Sequence, residues 1–143
     1  MNERIEEHSI GAVITYKPLH SFHKQFVLLK SPRGDWNFVK GHREKQESDH
    51  DTLKREIFEE TGITTFNILN YLGKIRYMFM KAGVKSEKEV KFYYVTTNEN
   101  RIALSNEHID YIWLDYEHAK RMLTFHQSKL ILEKIMKYGL LYD

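Results

Sequence analysis

The chain lacks several features that would assign it to whole classes of protein. It has no cysteine, two prolines and no apolar run near the roughly 18 residues of a membrane-spanning helix. Without cysteine there is neither a disulfide framework nor a thiolate zinc site, which suits a reducing compartment. The polar beginning, MNERIEEH, has no apolar core of the kind that signal peptides carry. We therefore expect a cytoplasmic protein with no membrane association.

The chain also lacks a strong excess of charge of either sign. Its 22 basic and 20 acidic residues leave a formal charge of +2, so no global field favours nucleic acid or membranes. Any basic surface must be local. The 143 residues, 41% hydrophobic and 13% aromatic, suffice for one domain with a real core. We expect a single domain over residues 1–143.

One segment, residues 41–63, carries a spaced motif of glycines, glutamates and one arginine. Its members at G-x5-E-x7-R-E-x-x-E-E-x-G are Gly41, Glu47, Arg55, Glu56, Glu59, Glu60 and Gly62. Such a match arises by chance on the order of once in 10^8 registers. A helix turns about 100° per residue, so the last three glutamates share one face.

Paired carboxylates on one helix face indicate a cation. Glu56 and Glu60 form an i, i+4 pair of like charge, which destabilises an isolated helix unless something positive lies between them. Magnesium prefers oxygen ligands and commonly shares its sites with substrate phosphates. The alternative is a solvated acidic face in which Arg55 pairs with Glu59.

The flanking residues favour a defined helix over that alternative. Local signals predict a helix over residues 49–61. Ser48 can cap its start, Asp49 and Asp51 suit its first turn, and Gly62 can end it. Leu53 and Ile57 would anchor the helix in the core. Gly41 and Gly62 would then bracket a unit of loop, helix and loop.

The remaining periodicity predicts strands around this helix and helices at the end. Strands are expected over residues 9–16, 25–29 and 109–114, with an antiparallel hairpin that joins 74–79 to 90–94 near Gly83. Asp115 is placed to cap a short helix through about residue 123. A last helix begins near residue 127, has Leu130, Ile131, Ile135 and Tyr138 as its apolar positions, and ends at Gly139. This order predicts an α/β/α sandwich with a mixed sheet between helices.

The spaced motif is the Nudix box, and the chain resembles the Nudix hydrolase family. Within it, the chain is similar to the asymmetric diadenosine tetraphosphate hydrolases at Trp36, at Lys40-Gly41-His42, at Lys88, Val90 and Phe92, and over residues 105–108. It departs from that branch at Val39 and Gln46, where proline and glycine are usual. The resemblance implies the Nudix-type α/β/α sandwich and a hydrolase that uses a divalent cation, Mg²⁺ or Mn²⁺ in its place.

The resemblance also implies roles for the motif residues. Glu56, Glu59 and Glu60 would bind the metal, and Glu47 would support them directly or through the metal. Arg55 would orient the acidic cluster. The family takes its general base from the box or from a later loop, so the candidates are Glu56 and Glu107.

Other residues are candidates for substrate contacts. Lys40, Arg43 and Lys88 supply positive charge for a polyphosphate, while His42 either contacts phosphate or fills the turn after Gly41. Tyr77, Phe92 and Phe125 are candidates to stack on adenine, although aromatics in strands are more often core residues. His20 and His23 are interpreted as surface residues.

Four functions follow, and one leads. We expect cleavage of diadenosine tetraphosphate into ATP and AMP by attack of water on an end phosphate. The alternatives are removal of pyrophosphate from RNA 5′-triphosphates, hydrolysis of other nucleotides, and a nucleotide sensor without activity. The intact acidic positions disfavour the sensor, and the balanced charge disfavours RNA as a partner. The sequence leaves the oligomeric state open.

Overall fold

The computed structural model describes residues 5–141 of the chain. Seven strands and three helices follow one another along it. In chain order they are β1 (Ile5–Tyr16), β2 (Gln25–Lys30), β3 (Trp36–Asn37), β4 (Val39–His42), α1 (Asp49–Thr61), β5 (Phe66–Lys81), β6 (Val84–Thr97), β7 (Asp110–Leu114), α2 (Tyr116–Met122) and α3 (His126–Lys137).

The strands form one mixed sheet with β1 at its centre. Parallel pairing joins β1 to β6 along one edge, whereas β4 and β2 share the other edge of β1 in antiparallel register. The path through the sheet is β3-β2-β1-β6-β5, and β7 pairs with β2. This arrangement brings β4, which precedes the acidic helix, beside the middle of β1.

Each face of the sheet carries its own apolar core. On one face, Leu53 and Ile57 of α1 pack with Ile10 and Val39. The opposite face packs against α2 and α3 through a second cluster. Alternate residues of a strand point to opposite faces, so β1 contributes to both cores. The predicted α/β/α sandwich with a mixed sheet is confirmed.

Helix α1 has the boundaries that the sequence predicts. The Ser48 hydroxyl accepts a hydrogen bond from the Asp51 amide, and the Asp51 carboxylate accepts one from the Ser48 amide. At the other end Gly62 adopts φ 75°, a left-handed conformation that favours glycine. Leu53 and Ile57 are buried, so the helix has a fixed rotation about its axis.

The predicted antiparallel hairpin is confirmed and is longer than expected. It joins β5 to β6 through Ala82 and Gly83, which have φ values of 51° and 76°. Positive φ at both turn positions matches the twist of the flanking strands. No helix within residues 5–141 is long and apolar enough to cross a membrane.

Two details of the prediction are wrong. Gly41 lies in strand β4 rather than in a loop, because its backbone pairs with Ile10 of β1. Leu130 of α3 and Tyr138, which follows the last residue of α3, are exposed (45% and 51%). The buried residues Ile131, Leu132 and Ile135 instead face the sheet, so the apolar stripe is rotated from the predicted one.

Candidate active site

The three glutamates of α1 divide between buried and exposed positions. Glu56 and Glu60 are 8% and 2% exposed, because they lie one turn apart on the side of α1 that meets the rest of the protein. Glu59 points further outward, and half of its side chain is exposed. Two carboxylates are thus held in the interior and the third borders solvent.

Glu47 holds Arg55 from the loop before the helix. Its carboxylate accepts two hydrogen bonds from the guanidinium, Nε to Oε2 at 2.7 Å and Nη2 to Oε1 at 2.9 Å. The Glu44 amide and the Thr52 hydroxyl also donate to Oε1. These bonds, Arg55 first, lower the pKa of Glu47 to about 2. The carboxylate therefore stays charged and fixes the arginine.

Arg55 in turn binds two glutamates of its own helix. Nη1 donates to Glu56 at 2.8 Å and approaches Glu59 at 3.4 Å. Nη2 donates to the His42 carbonyl at 2.9 Å. The guanidinium therefore connects the helix to strand β4, and its pKa is raised by Glu47 first and then by Glu56. This geometry agrees with the role that the resemblance implies for Arg55, which stays a prediction.

Gly41 is required because Glu56 lies against it. A Cβ at position 41 would overlap the Glu56 carboxylate. Strand β4 presents position 41 to the α1 face, so the glycine makes room for the buried acid. Burial raises the pKa of Glu56, although Arg55 opposes that rise.

Glu60 contacts the segment 105–108, which begins 45 residues further along the chain. Its Oε2 accepts a hydrogen bond from the Ser105 hydroxyl at 2.9 Å and lies 2.7 Å from His108 Nδ1. Burial, followed by a hydrogen bond and charge repulsion from Glu107, raises the pKa of Glu60 to about 7. The loop before β7 thus brings Glu107 to the helix carboxylates.

Glu56 and Glu107 border a cleft of about 350 Å³, here called the carboxylate cleft. Its lining includes Ser9, Lys40, Arg55, Glu56, Lys88 and Glu107. Burial, with a smaller contribution from the nearby Lys88, lowers the pKa of Lys40 to about 8. The carboxylate cleft therefore has an acidic wall from the helix and loop, and a basic wall from the sheet.

A second cavity of about 370 Å³, here called the apolar pocket, adjoins it. The lining includes Asn37, Lys40, Ile75, Tyr77, Phe92 and Phe125, together with the first turn of α3. All three predicted stacking residues therefore lie in one pocket. Lys40 lines both cavities, so it lies on their common border.

Some predicted substrate contacts are engaged elsewhere. Arg43 contacts Asp49 at 3.5 Å at the start of α1. His42 binds Arg55 through its carbonyl, although the residue also borders the carboxylate cleft. Phe92 is 1% exposed and packs edge-on against Phe38, so it is a core residue that also lines the apolar pocket. Their roles toward substrate stay predictions.

Several residues of the candidate site were given no role from sequence. Ser105 and His108 lie in the segment 105–108, which was noted only as part of the resemblance. Ser9 carried no local signal, because it reaches the carboxylate cleft through the pairing of β1 with the distant strand β4. Asn37 lies on the short strand β3 and reaches the apolar pocket beside α3. Only the tertiary fold identifies them.

The carboxylates suit a hard divalent cation by their chemistry. Within residues 5–141, no three His, Asp or Glu side chains are already grouped as a metal site. Glu56 and Glu60 are nevertheless buried acids whose pKa values are raised by burial and by neighbouring carboxylates, so their charged forms need positive charge nearby. A cation with oxygen ligands supplies that charge, so these residues fit the group.

Comparison with known proteins agrees with the fold and the motif. The model of the NUDIX domain matches residues 12–134. The chain is 33% identical over 121 residues to the Mus musculus bis(5′-nucleosyl)-tetraphosphatase [asymmetrical], which covers 77% of each protein. A C. elegans Ap4A hydrolase binary complex superposes with a TM-score of 0.72 at 22% identity, over 93% of this chain and 97% of that one. The E. coli dihydroneopterin triphosphate pyrophosphohydrolase superposes with a TM-score of 0.75 at 19% identity, over 92% of this chain and 95% of that one. The chain belongs to the Nudix hydrolase family.

Proposed function

We propose that the protein hydrolyses diadenosine tetraphosphate asymmetrically, to ATP and AMP, with Mg²⁺ as its cofactor. The observation that carries the proposal is that Lys40 lines both a charged cleft and an apolar pocket. A substrate with a polyphosphate chain and a flat base needs both kinds of surface. The 33% identity to the mouse tetraphosphatase supports the same substrate class.

Glu56 and Glu60 would hold the metal, with Glu59 completing the set from the rim. Glu47 would act through Arg55, since its carboxylate is bonded to that guanidinium. Mn²⁺ has the same preference for oxygen ligands and would substitute. When bound, the cation supplies positive charge to the phosphate oxygens under attack.

Lys40 and Lys88 would bind the polyphosphate from the opposite wall. Both line the carboxylate cleft, and their mutual repulsion there favours an anion between them. Point charges suffice for phosphate oxygens. The phosphate chain would thus contact the lysines of β4 and β6 and the carboxylates Glu56 and Glu107 within one cleft.

For the general base we favour Glu107 over Glu56. The Glu56 carboxylate is bonded to Arg55 at 2.8 Å and counts among the proposed metal ligands. Glu107 is an exposed loop residue that borders the cleft, so its carboxylate can accept a proton from water there. A Glu107→Gln protein should lose about 10²-fold or more in kcat. Near-normal turnover would return the role to Glu56.

The apolar pocket would take one adenine. Tyr77 and Phe125 supply ring surface there, and Phe92 closes the pocket from the core. Because Lys40 lines both cavities, the phosphate next to that adenosine would lie nearest the carboxylates. Attack by water on this end phosphate releases AMP and leaves ATP.

The test is incubation of the purified protein with magnesium and diadenosine tetraphosphate, with separation of the nucleotide products. Glu60→Gln protein, prepared identically, controls for a contaminating hydrolase. We expect ATP and AMP from the wild type and their loss in the variant. Two ADP molecules would contradict the asymmetric assignment. No turnover would reject this substrate and direct the search to RNA 5′-triphosphates and other nucleotides.

A further inference from the structure

Ser9 is a buried polar residue without a partner. It is 1% exposed, and among the residues that the structure describes its hydroxyl has no hydrogen-bond partner. A buried hydroxyl without a partner is unfavourable and is uncommon in folded proteins. Ser9 nevertheless lies on the lining of the carboxylate cleft, directly behind the surface that a ligand in the cleft would contact.

Other buried hydroxyls of the protein have hydrogen-bond partners. Thr15, also on β1, is 1% exposed and donates to the Tyr94 hydroxyl at 3.1 Å. Ser128 of α3 is equally buried and donates to Asn37 at 2.9 Å. Burial of a hydroxyl in this protein therefore does not by itself leave it unpaired. The difference at Ser9 is its position beside the cleft.

Strand register places two lysines on the sheet face of Ser9, one of them, Lys88, paired directly with Glu7. Ser9 pairs with His42 of β4 and Val90 of β6, and directly paired residues project from the same face. Lys40 and Lys88 lie two residues from these partners along their strands, so they project from that face too. One hydroxyl thus lies between two lysines on the basic wall of the carboxylate cleft.

We propose that the Ser9 hydroxyl donates a hydrogen bond to a nonbridging phosphate oxygen of the substrate, between Lys40 and Lys88. This inference rests on the proposed function, because it names a contact of the same polyphosphate. A hydroxyl can donate to phosphate without adding charge, and the oxygen then has a directional contact between two point charges. Ser9 is a binding residue, which positions the phosphate chain against the carboxylates.

The inference predicts opposite effects on stability and on binding. In Ser9→Ala the unpaired hydroxyl is removed, so the Tm of the ligand-free protein should stay equal or rise. Its affinity for inorganic tripolyphosphate should fall about 10-fold, since hydrogen bonds to charged groups are the stronger ones. Calorimetric titration without divalent cations measures this affinity, and thermal unfolding measures Tm.

Thr15→Val is the matched control. It removes a buried hydroxyl from the same strand, but one that is hydrogen-bonded away from the cleft. Its Tm should fall while its tripolyphosphate affinity stays at the wild-type value. For diadenosine tetraphosphate, Ser9→Ala should raise KM about 10-fold with a smaller change in kcat, and Thr15→Val should change neither.

The outcomes separate this inference from the proposed function. Equal tripolyphosphate affinity in Ser9→Ala and wild type, or no binding by the wild type, would overturn the role of Ser9 even if diadenosine tetraphosphate is cleaved. Weaker binding by Ser9→Ala in a protein that does not cleave the dinucleotide would keep the phosphate contact and reject the substrate. A lower Tm in Ser9→Ala with unchanged binding would make Ser9 a structural residue.

Discussion

The carboxylate cleft and the apolar pocket adjoin, yet they are assembled in different ways. Most acidic groups of the cleft come from one short segment, the loop and helix between Gly41 and Gly62. The pocket collects residues from β3, β4, β5, β6 and the start of α3. Local sequence therefore encodes the groups for the proposed phosphate chemistry. The proposed recognition of the base depends instead on contacts between distant elements.

The largest expected effect is a loss of kcat that leaves binding in the apolar pocket unchanged. Glu60→Gln should lower kcat by about 10³-fold, because a charge is removed where the cation is proposed to bind. Glutamine can still accept hydrogen bonds from Ser105 and His108, so folding should be preserved. AMP should still bind in the apolar pocket with wild-type affinity. Initial rates and equilibrium titration of AMP measure the two effects, and a rate within 10-fold of wild type would contradict the role of Glu60.

A second change tests how β4 makes room for the cleft. Gly41→Ala places a methyl group where the Glu56 carboxylate lies. We expect a loss of about 1–3 kcal/mol in the free energy of unfolding, measured with urea. In a Glu56→Ala background the same substitution should cost much less, since the obstructing group is gone. Equal losses in both backgrounds would show that the carboxylate is not the cause.

A third change acts on the apolar pocket alone. Phe125→Ala should raise KM for diadenosine tetraphosphate about 10-fold, the magnitude of one lost stacking contact, and leave kcat nearly unchanged. Phe22→Ala is the control, because Phe22 is 82% exposed in the loop after β1. Steady-state kinetics of both variants decide the matter. An unchanged KM in Phe125→Ala would remove this ring from the proposed site.

The smallest effect concerns pH in the absence of divalent cations. The pKa of Glu60 is raised to about 7 in the folded protein from its ordinary value of 4.5. Its favourable contribution to stability is therefore complete below about pH 4.5 and is lost as the pH rises through about 7. The Tm of wild type should fall relative to Glu60→Gln between these values. A difference in Tm between the two proteins that stays constant across this pH range would contradict the raised pKa of Glu60.

The sequence predicted the elements whose signals are local. Helix α1 was bounded correctly because Ser48 and Gly62 act within one turn of its ends. The strand that contains Gly41 was missed, since it exists only by pairing with β1. The buried stripe of α3 was also misjudged: Leu130 and Ile131 are equally apolar, and only the position of the sheet distinguishes them.

The same distinction applies to the candidate site. Glu56, Glu60 and Arg55 were named from their spacing along one helix. Ser9 was not named, because its place beside the cleft depends on the register of β1 with β4 and β6. A serine in an apolar strand carries no sign of that environment.

Hydrolysis of diadenosine tetraphosphate in water enriched with oxygen-18 tests the central claim most directly. The two cavities meet at Lys40, so the phosphate beside the bound adenosine should be the one that water attacks. Mass spectrometry of the products should find the label in AMP and not in ATP. Label in ATP, or in ADP, would contradict the proposed alignment of the substrate across the two cavities.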